Sequence, residues 1–130
     1  MILKRRYFFP FIWIGLLSYA SLSPSKNVPD FSFIPHFDKF VHFCMYFGLA
    51  FLLIPALLKN KKYINAYWFA FIISILSGSL FELIQTYFTT SRTGSIYDEI
   101  ANATGALFGI FAYQILFKNK RMESIIFKIE

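Results

Sequence analysis

The chain has 130 residues, of which 57% are hydrophobic, 22% aromatic and only 15% charged, and its mean hydropathy is +0.53. Soluble proteins carry about 25% charged residues, so a soluble fold would have too little polar surface to cover a core containing eighteen phenylalanines. The length fits a single domain, 1–130, the lone Cys44 excludes an intrachain disulfide and a thiolate zinc cage, and the net charge of +6 needs no nucleic acid if basic residues set membrane topology.

The first hydrophobic stretch follows Lys4, Arg5 and Arg6 and runs from Tyr7 to Leu22. A spanning helix needs roughly 17–25 mostly apolar residues, so this one, predicted over 5–22, reaches across only if its basic side chains snorkel. Ser18, Ser21 and Ser23 then lie at the interface. The rival reading is a signal peptide with Ser18-Tyr19-Ala20 as a small-x-small cleavage site. We take the retained span, because polytopic membrane proteins commonly begin this way.

Residues 23–38 contain Pro24, Pro29 and Pro35, which cannot continue a regular helix, and Phe31, Phe33, Ile34 and Phe37 suit an interfacial segment. Helices are predicted over 39–58, 63–88 and 96–117. A basic turn at 59–62 and a polar turn at 89–95 connect them. In the tail, 118–130, Met122, Ile125, Ile126 and Ile129 recur at i, i+3, i+4 and i+7. That spacing predicts an amphipathic helix on the inner leaflet, with a solvated tail as the alternative. The expected fold class is all-α, a four-transmembrane-helix bundle.

Alternation through four spans puts Lys4, Arg5, Arg6, Lys59, Lys61, Lys62, Lys118, Lys120, Arg121 and Lys128 on one side, ten of the thirteen basic residues. The positive-inside rule makes that side cytoplasmic, with both termini on it. Lys26, Lys39 and Arg92 fall outside, as do Asp30, Asp38, Glu82, Asp98 and Glu99. The predicted location is therefore a bacterial cytoplasmic membrane, multi-pass.

Polar residues recur at helical spacing. Asp38, His42 and Tyr46 share one face of the second helix. Ser74, Gly78, Glu82 and Gln85 share a face of the third, and Asp98, Asn102, Gly105 and Gly109 a face of the fourth. A charged side chain deep in a bilayer costs roughly 2.5–3.5 kcal/mol on insertion scales. Such groups turn to the bundle interior and find partners. Facing stripes would make one polar pocket, open to the outside, where carboxylates compensate Arg92 and Lys39.

Each residue also has a plainer role. Ser95-x-x-Asp98 is a helix-start pattern in which Asp98 caps the fourth helix, and Asp38 is a candidate N-cap for the second. Ala101, Gly105 and Gly109 form a small-xxx-small face for close helix packing. His42 suits a hydrogen-bonded structural histidine as well as an acid or base. Tyr46 suits a network hydroxyl, and Trp13, Trp68 and Phe47 suit lipid contact or packing. Glu82, inside an apolar run, is the hardest to explain without a function.

Taken together, Asp38-Lys39-x-x-His42-x-x-x-Tyr46, Glu82-x-x-Gln85 and Arg92-x-x-Ser95-x-x-Asp98-x-x-x-Asn102-x-x-Gly105-x-x-x-Gly109 resemble the VanZ-like family of small bacterial integral membrane proteins. The resemblance runs from about Asp38 to Gly109, with a first hydrophobic helix in the expected place. It implies a membrane protein of a family named for resistance to the glycopeptide teicoplanin, most of whose members have no link to resistance. It carries over the motif positions without catalytic roles.

Three functions compete. The first is binding or modulation of an anionic lipid-linked or glycopeptide-related ligand of the cell envelope, with Arg92, Lys39 and His42 toward the anion and Glu82, Gln85 and Asn102 toward hydroxyl or amide groups. The second is a membrane enzyme acting on a lipid-linked phosphate, with Glu82 or His42 as general base. The third is a structural subunit whose polar residues lock the bundle. No nucleophile motif is present. No cofactor is expected, and the metal ligands counted along the chain, one such histidine and scattered carboxylates, are too few to assign a metal site. Expected partners are membrane lipids and a lipid-linked envelope precursor or glycopeptide; the oligomeric state is open. A transporter is disfavoured, because four helices leave little material for alternating access.

Overall fold

The computed structural model describes residues 5–23, 33–58, 62–88, 94–117 and 120–127. The segment 24–32, the turn at 59–61 and the polar turn at 89–93 lie outside the described residues, and with them Phe31 and Arg92.

The described residues are almost wholly helical: α1 (Arg5–Leu22), α2 (Phe37–Leu57), α3 (Tyr63–Phe88), α4 (Ile96–Leu116) and α5 (Lys120–Phe127). The four long helices begin and end within two residues of the predicted bounds. Two of them, α2 and α3, are long and apolar enough to cross a membrane, and a third span is reached if α4 and the sharply bent α5 are taken together. α1 opens on Arg5 and Arg6, and α4 carries Asp98, Glu99 and Asn102 in its first two turns, which lowers their apolar content.

Helix ends follow local chemistry. Ser95 caps α4, its Oγ accepting from the Tyr97 N–H at 3.2 Å. α2 starts differently from the expectation that Asp38 is its N-cap. His36 occupies that position in a left-handed conformation, and Asp38 falls in the first turn. The turn through Pro35 closes with Phe37 N–H on Ile34 O, so the helix begins one residue before Asp38. Pro10 and Pro55 sit inside helices; neighbouring helices hold such interruptions within a bundle.

α2 packs most extensively on α4. The two run parallel, because Phe43 and Phe47 of α2 meet Gly105 and Gly109 of α4 in ascending register. A Cβ added at Gly105 would stand 2.2 Å from Phe43 O, and one at Gly109 would stand 2.3 Å from Phe47 O. Only glycine admits this backbone approach. α3 runs antiparallel to both and α1 antiparallel to α2. The Trp13 indole of α1 covers Gly48 and donates to Met45 O at 2.8 Å.

The core joins Leu17, Leu49, Ala50, Leu53, Ile54, Ala66, Ala70, Ala106, Ile110 and Tyr113. Small residues on α3 and α4 let the helices close. Outside, Phe11, Trp68, Leu76, Phe108, Phe111 and Ile115 are exposed.

At one end α5 folds under the bundle. Glu123 is 2% exposed and accepts from Tyr63 Oη at 2.6 Å and from Tyr113 Oη. Phe127 packs among Phe9, Tyr113 and Phe117. Met122, Ile125 and Ile126, the predicted apolar face, stay exposed on α5. The bundle holds this helix by its other side, through Glu123 and Phe127; Ile129 lies outside the described residues.

Candidate functional site

The end of the bundle opposite α5 gathers the N-termini of α2 and α4 with the C-terminal part of α3. Packing of α2 parallel to α4 and antiparallel to α3 brings Asp38, Lys39, His42 and Tyr46 of α2 to the same level as Glu82 of α3 and Asp98, Glu99 and Asn102 of α4. The small residues decide how close they come. A Cβ at Gly78 would stand 2.8 Å from Asn102 Nδ2 and 3.0 Å from Glu99 Oε2, so this glycine makes the space that the α4 side chains occupy.

Asn102 is 1% exposed and sits at the centre. Its Nδ2 donates to Glu99 Oε2 at 3.2 Å, and Ser79 Oγ donates to Glu99 Oε1 at 3.0 Å. A carboxylate only accepts, so the amide nitrogen faces Glu99 and the carbonyl faces His42. Asn102 Oδ1 lies 2.9 Å from His42 Nδ1, which therefore carries the proton and donates. The same Nδ1 is 3.9 Å from Glu82 Oε1.

Glu82 also reaches the start of α4: its Oε2 accepts from the Ser95 N–H at 2.9 Å. The Ser95-x-x-Asp98 pattern predicted that Asp98 would close the cap. The acid that bonds back to Ser95 comes instead from a different helix, which leaves the Asp98 carboxylate free to turn inward. Asp98 is 7% exposed, and its Oδ1 lies 2.6 Å from Lys39 Nζ, outside hydrogen-bond geometry. Lys39 is also paired with Asp38, whose side chain faces outward.

Tyr46 is 2% exposed, and Ser77 of α3 donates to Ser74 O at 2.9 Å. Gln85 reaches across to α1. Its Nε2 donates to Ser21 O at 2.8 Å, tying α3 to the end of α1. Ala101, Gly105 and Gly109 are buried along the α4 face. Arg92 lies outside the described residues.

Two contributors were not singled out from the sequence. Glu99 orients Asn102, and its signal was the i, i+3 spacing to that residue. Ser79 sits beside Gly78 and was hidden by being a common small helix residue.

The cluster is therefore acid-rich among the described residues. The Lys39 ammonium pairs with Asp38 and Asp98, and Glu82 has both Asp98 and Glu99 as like-charged neighbours. The ligand atoms of His42, Glu82 and Asp98 all lie within 4.8 Å of one another.

A protein-family model described as VanZ/LLP1 matches residues 3–117. The chain belongs to the VanZ/LLP1 family. Curated proteins and solved structures return no match. The family match spans all four long helices, and so includes every residue of the polar cluster. Family membership and the apolar exterior of the helices identify a membrane protein.

Proposed function

We propose that this VanZ/LLP1 protein is a four-span protein of the bacterial cytoplasmic membrane, with both termini cytoplasmic, and that its polar cluster binds an anionic lipid-linked or glycopeptide-related ligand of the cell envelope. Ten of thirteen basic residues on one side support the orientation. The exposed aromatic and aliphatic residues on α1, α3 and α4 support a lipid-facing exterior. α5, docked through Glu123 and showing Met122, Ile125 and Ile126 outward, suits the cytoplasmic leaflet.

One observation carries the binding reading: the cluster joins three helices yet stays partly open. A network built only to lock helices would be closed, with every polar group spent on a partner helix. Here His42 and Glu82 keep side-chain exposures of 19% and 13%. Asn102, Glu82 and Glu99 offer groups for hydroxyls and amides; capture of the anion falls to Lys39 and Arg92.

The test is titration of the purified protein in nanodiscs with a phosphorylated polyprenyl lipid and, separately, with teicoplanin. Saturable binding that weakens at least tenfold in Lys39→Ala is expected. Absence of binding to both compounds refutes this function.

A second reading, a membrane enzyme acting on a lipid-linked phosphate, is favoured by the 3.9 Å approach of His42 Nδ1 to Glu82 Oε1. Glu82→Gln separates the two. An enzyme loses product formation in that variant while still binding its substrate, whereas a binder shows no product with either chain.

A further inference from the structure

We propose that His42, Glu82 and Asp98, with the Asn102 carbonyl as a fourth donor, form a binding site for a divalent first-row transition cation. The site stands on the geometry of the cluster and does not depend on any organic ligand.

The donors come from three helices and converge. His42 Nδ1 lies 3.9 Å from Glu82 Oε1 and 2.9 Å from Asn102 Oδ1, and the ligand atoms of His42, Glu82 and Asp98 lie within 4.8 Å of one another. A cation with ligands at about 2.0–2.2 Å places those ligands about 3–4 Å apart. Small rotations of the carboxylate side chains close the difference. One imidazole with three oxygens is the donor mixture that suits Zn²⁺ or Mn²⁺, whereas Mg²⁺ prefers oxygen and keeps its water.

Two further observations point to a cation. The Asn102 carbonyl is held on His42 by Glu99, which is held in turn by Ser79. That is a supporting shell of the kind that fixes metal ligands. Without a metal, the proton on His42 Nδ1 occupies the space between Nδ1 and Asn102 Oδ1. A cation takes both atoms once the imidazole carries its proton on Nε2 instead, which frees the Nδ1 lone pair for the ion and keeps the ring neutral. The second observation is charge. Glu82 has the like-charged Asp98 and Glu99 as neighbours, of which Asp98 alone is paired with the Lys39 ammonium among the described residues, and a divalent ion offsets the surplus. Asp98 Oδ1 is buried with no hydrogen bond and lies beside the Lys39 ammonium, so the ion competes with that ammonium for the carboxylate.

Lys39 is then an internal competitor. Its ammonium neutralises Asp98, and the ion displaces it toward Asp38, which it already touches. Removing the ammonium should therefore tighten metal binding. A network that merely locks the helices makes no such prediction.

The experiment is equilibrium dialysis of the chelator-treated full chain in detergent against Zn²⁺ or Mn²⁺ alone, with elemental analysis and thermal unfolding in parallel. One ion per chain is expected. Glu82→Gln and Asp98→Asn should each weaken uptake at least tenfold, Glu99→Gln should weaken it about tenfold through Asn102, Lys39→Gln should strengthen it several-fold, and His36→Ala should leave it unchanged. If a variant does not fold, the electron paramagnetic resonance of Mn²⁺ on the unaltered chain decides, because a coordinated imidazole nitrogen gives a resolved coupling. Stoichiometric uptake with that coupling supports the site. No uptake by the folded chain, uptake undiminished by Glu82→Gln and Asp98→Asn together, or Mn²⁺ with no nitrogen coupling overturns it.

Discussion

Replacing Gly105 with alanine links helix packing to the polar cluster. The new Cβ would stand 2.2 Å from Phe43 O. An ordinary C···O contact is about 3.3 Å, so α2 and α4 must separate locally by about 1 Å. His42 precedes Phe43 by one residue and Asn102 lies one turn before Gly105, so the strain falls directly on their bond. From 2.9 Å, an added ångström stretches His42 Nδ1 to Asn102 Oδ1 to about 3.9 Å, beyond hydrogen-bond reach. Overpacking of this kind costs about 1–3 kcal/mol. The helix-propensity gain of a glycine-to-alanine change, about 1 kcal/mol, opposes it. Gly15 supplies the control, because a Cβ there meets nothing within 4 Å. Thermal unfolding in detergent should therefore show Gly15→Ala unchanged or higher and Gly105→Ala lower. The His42 imidazole resonance should shift only in Gly105→Ala. If Gly105→Ala unfolds at or above Gly15→Ala, the parallel α2–α4 contact described above is wrong.

Other parts of the fold make separate predictions. Trp13→Phe keeps the ring over Gly48 but removes the N–H donated to Met45 O, and should cost about 1 kcal/mol in detergent unfolding. Glu123→Ala takes the acceptor from the buried Tyr113 hydroxyl, at about 1–3 kcal/mol, removes the bond from Tyr63, and should release α5 to amide hydrogen exchange while α2 stays protected. Gln85→Ala removes the bond from α3 to Ser21 O and should raise amide exchange near the end of α1. Single cysteines placed at residues 2 and 129 in a Cys44→Ser background should both react with impermeant reagents from the cytoplasmic side only; labelling of either from outside overturns the proposed orientation.

The amino-acid sequence by itself determined the helices and the membrane class. Apolar run length, proline-containing connections and serine caps act within a few residues, so the long helices and the Ser95 cap could be read directly. Period also placed the right residues on the right faces, because α-helical spacing is a local property: His42, Asn102, Gly105 and Gly109 all turn inward. Which inward-facing groups meet was beyond it. Gln85 shares a stripe with Glu82, yet one bonds Ser21 of α1 and the other Ser95 at the start of α4, since helix rotation and register decide partners. Asp98 looked like a local cap and became the partner of Lys39 because Glu82, thirteen residues before Ser95, took the capping bond. Nothing along the chain singled out Glu99 or Glu123, and only tertiary packing set the first to orient Asn102 and buried the second beneath two tyrosines. The tertiary structure likewise turned a set of ligands too sparse along the chain into three donor side chains within reach of one ion, because antiparallel helices bring distant positions to one level.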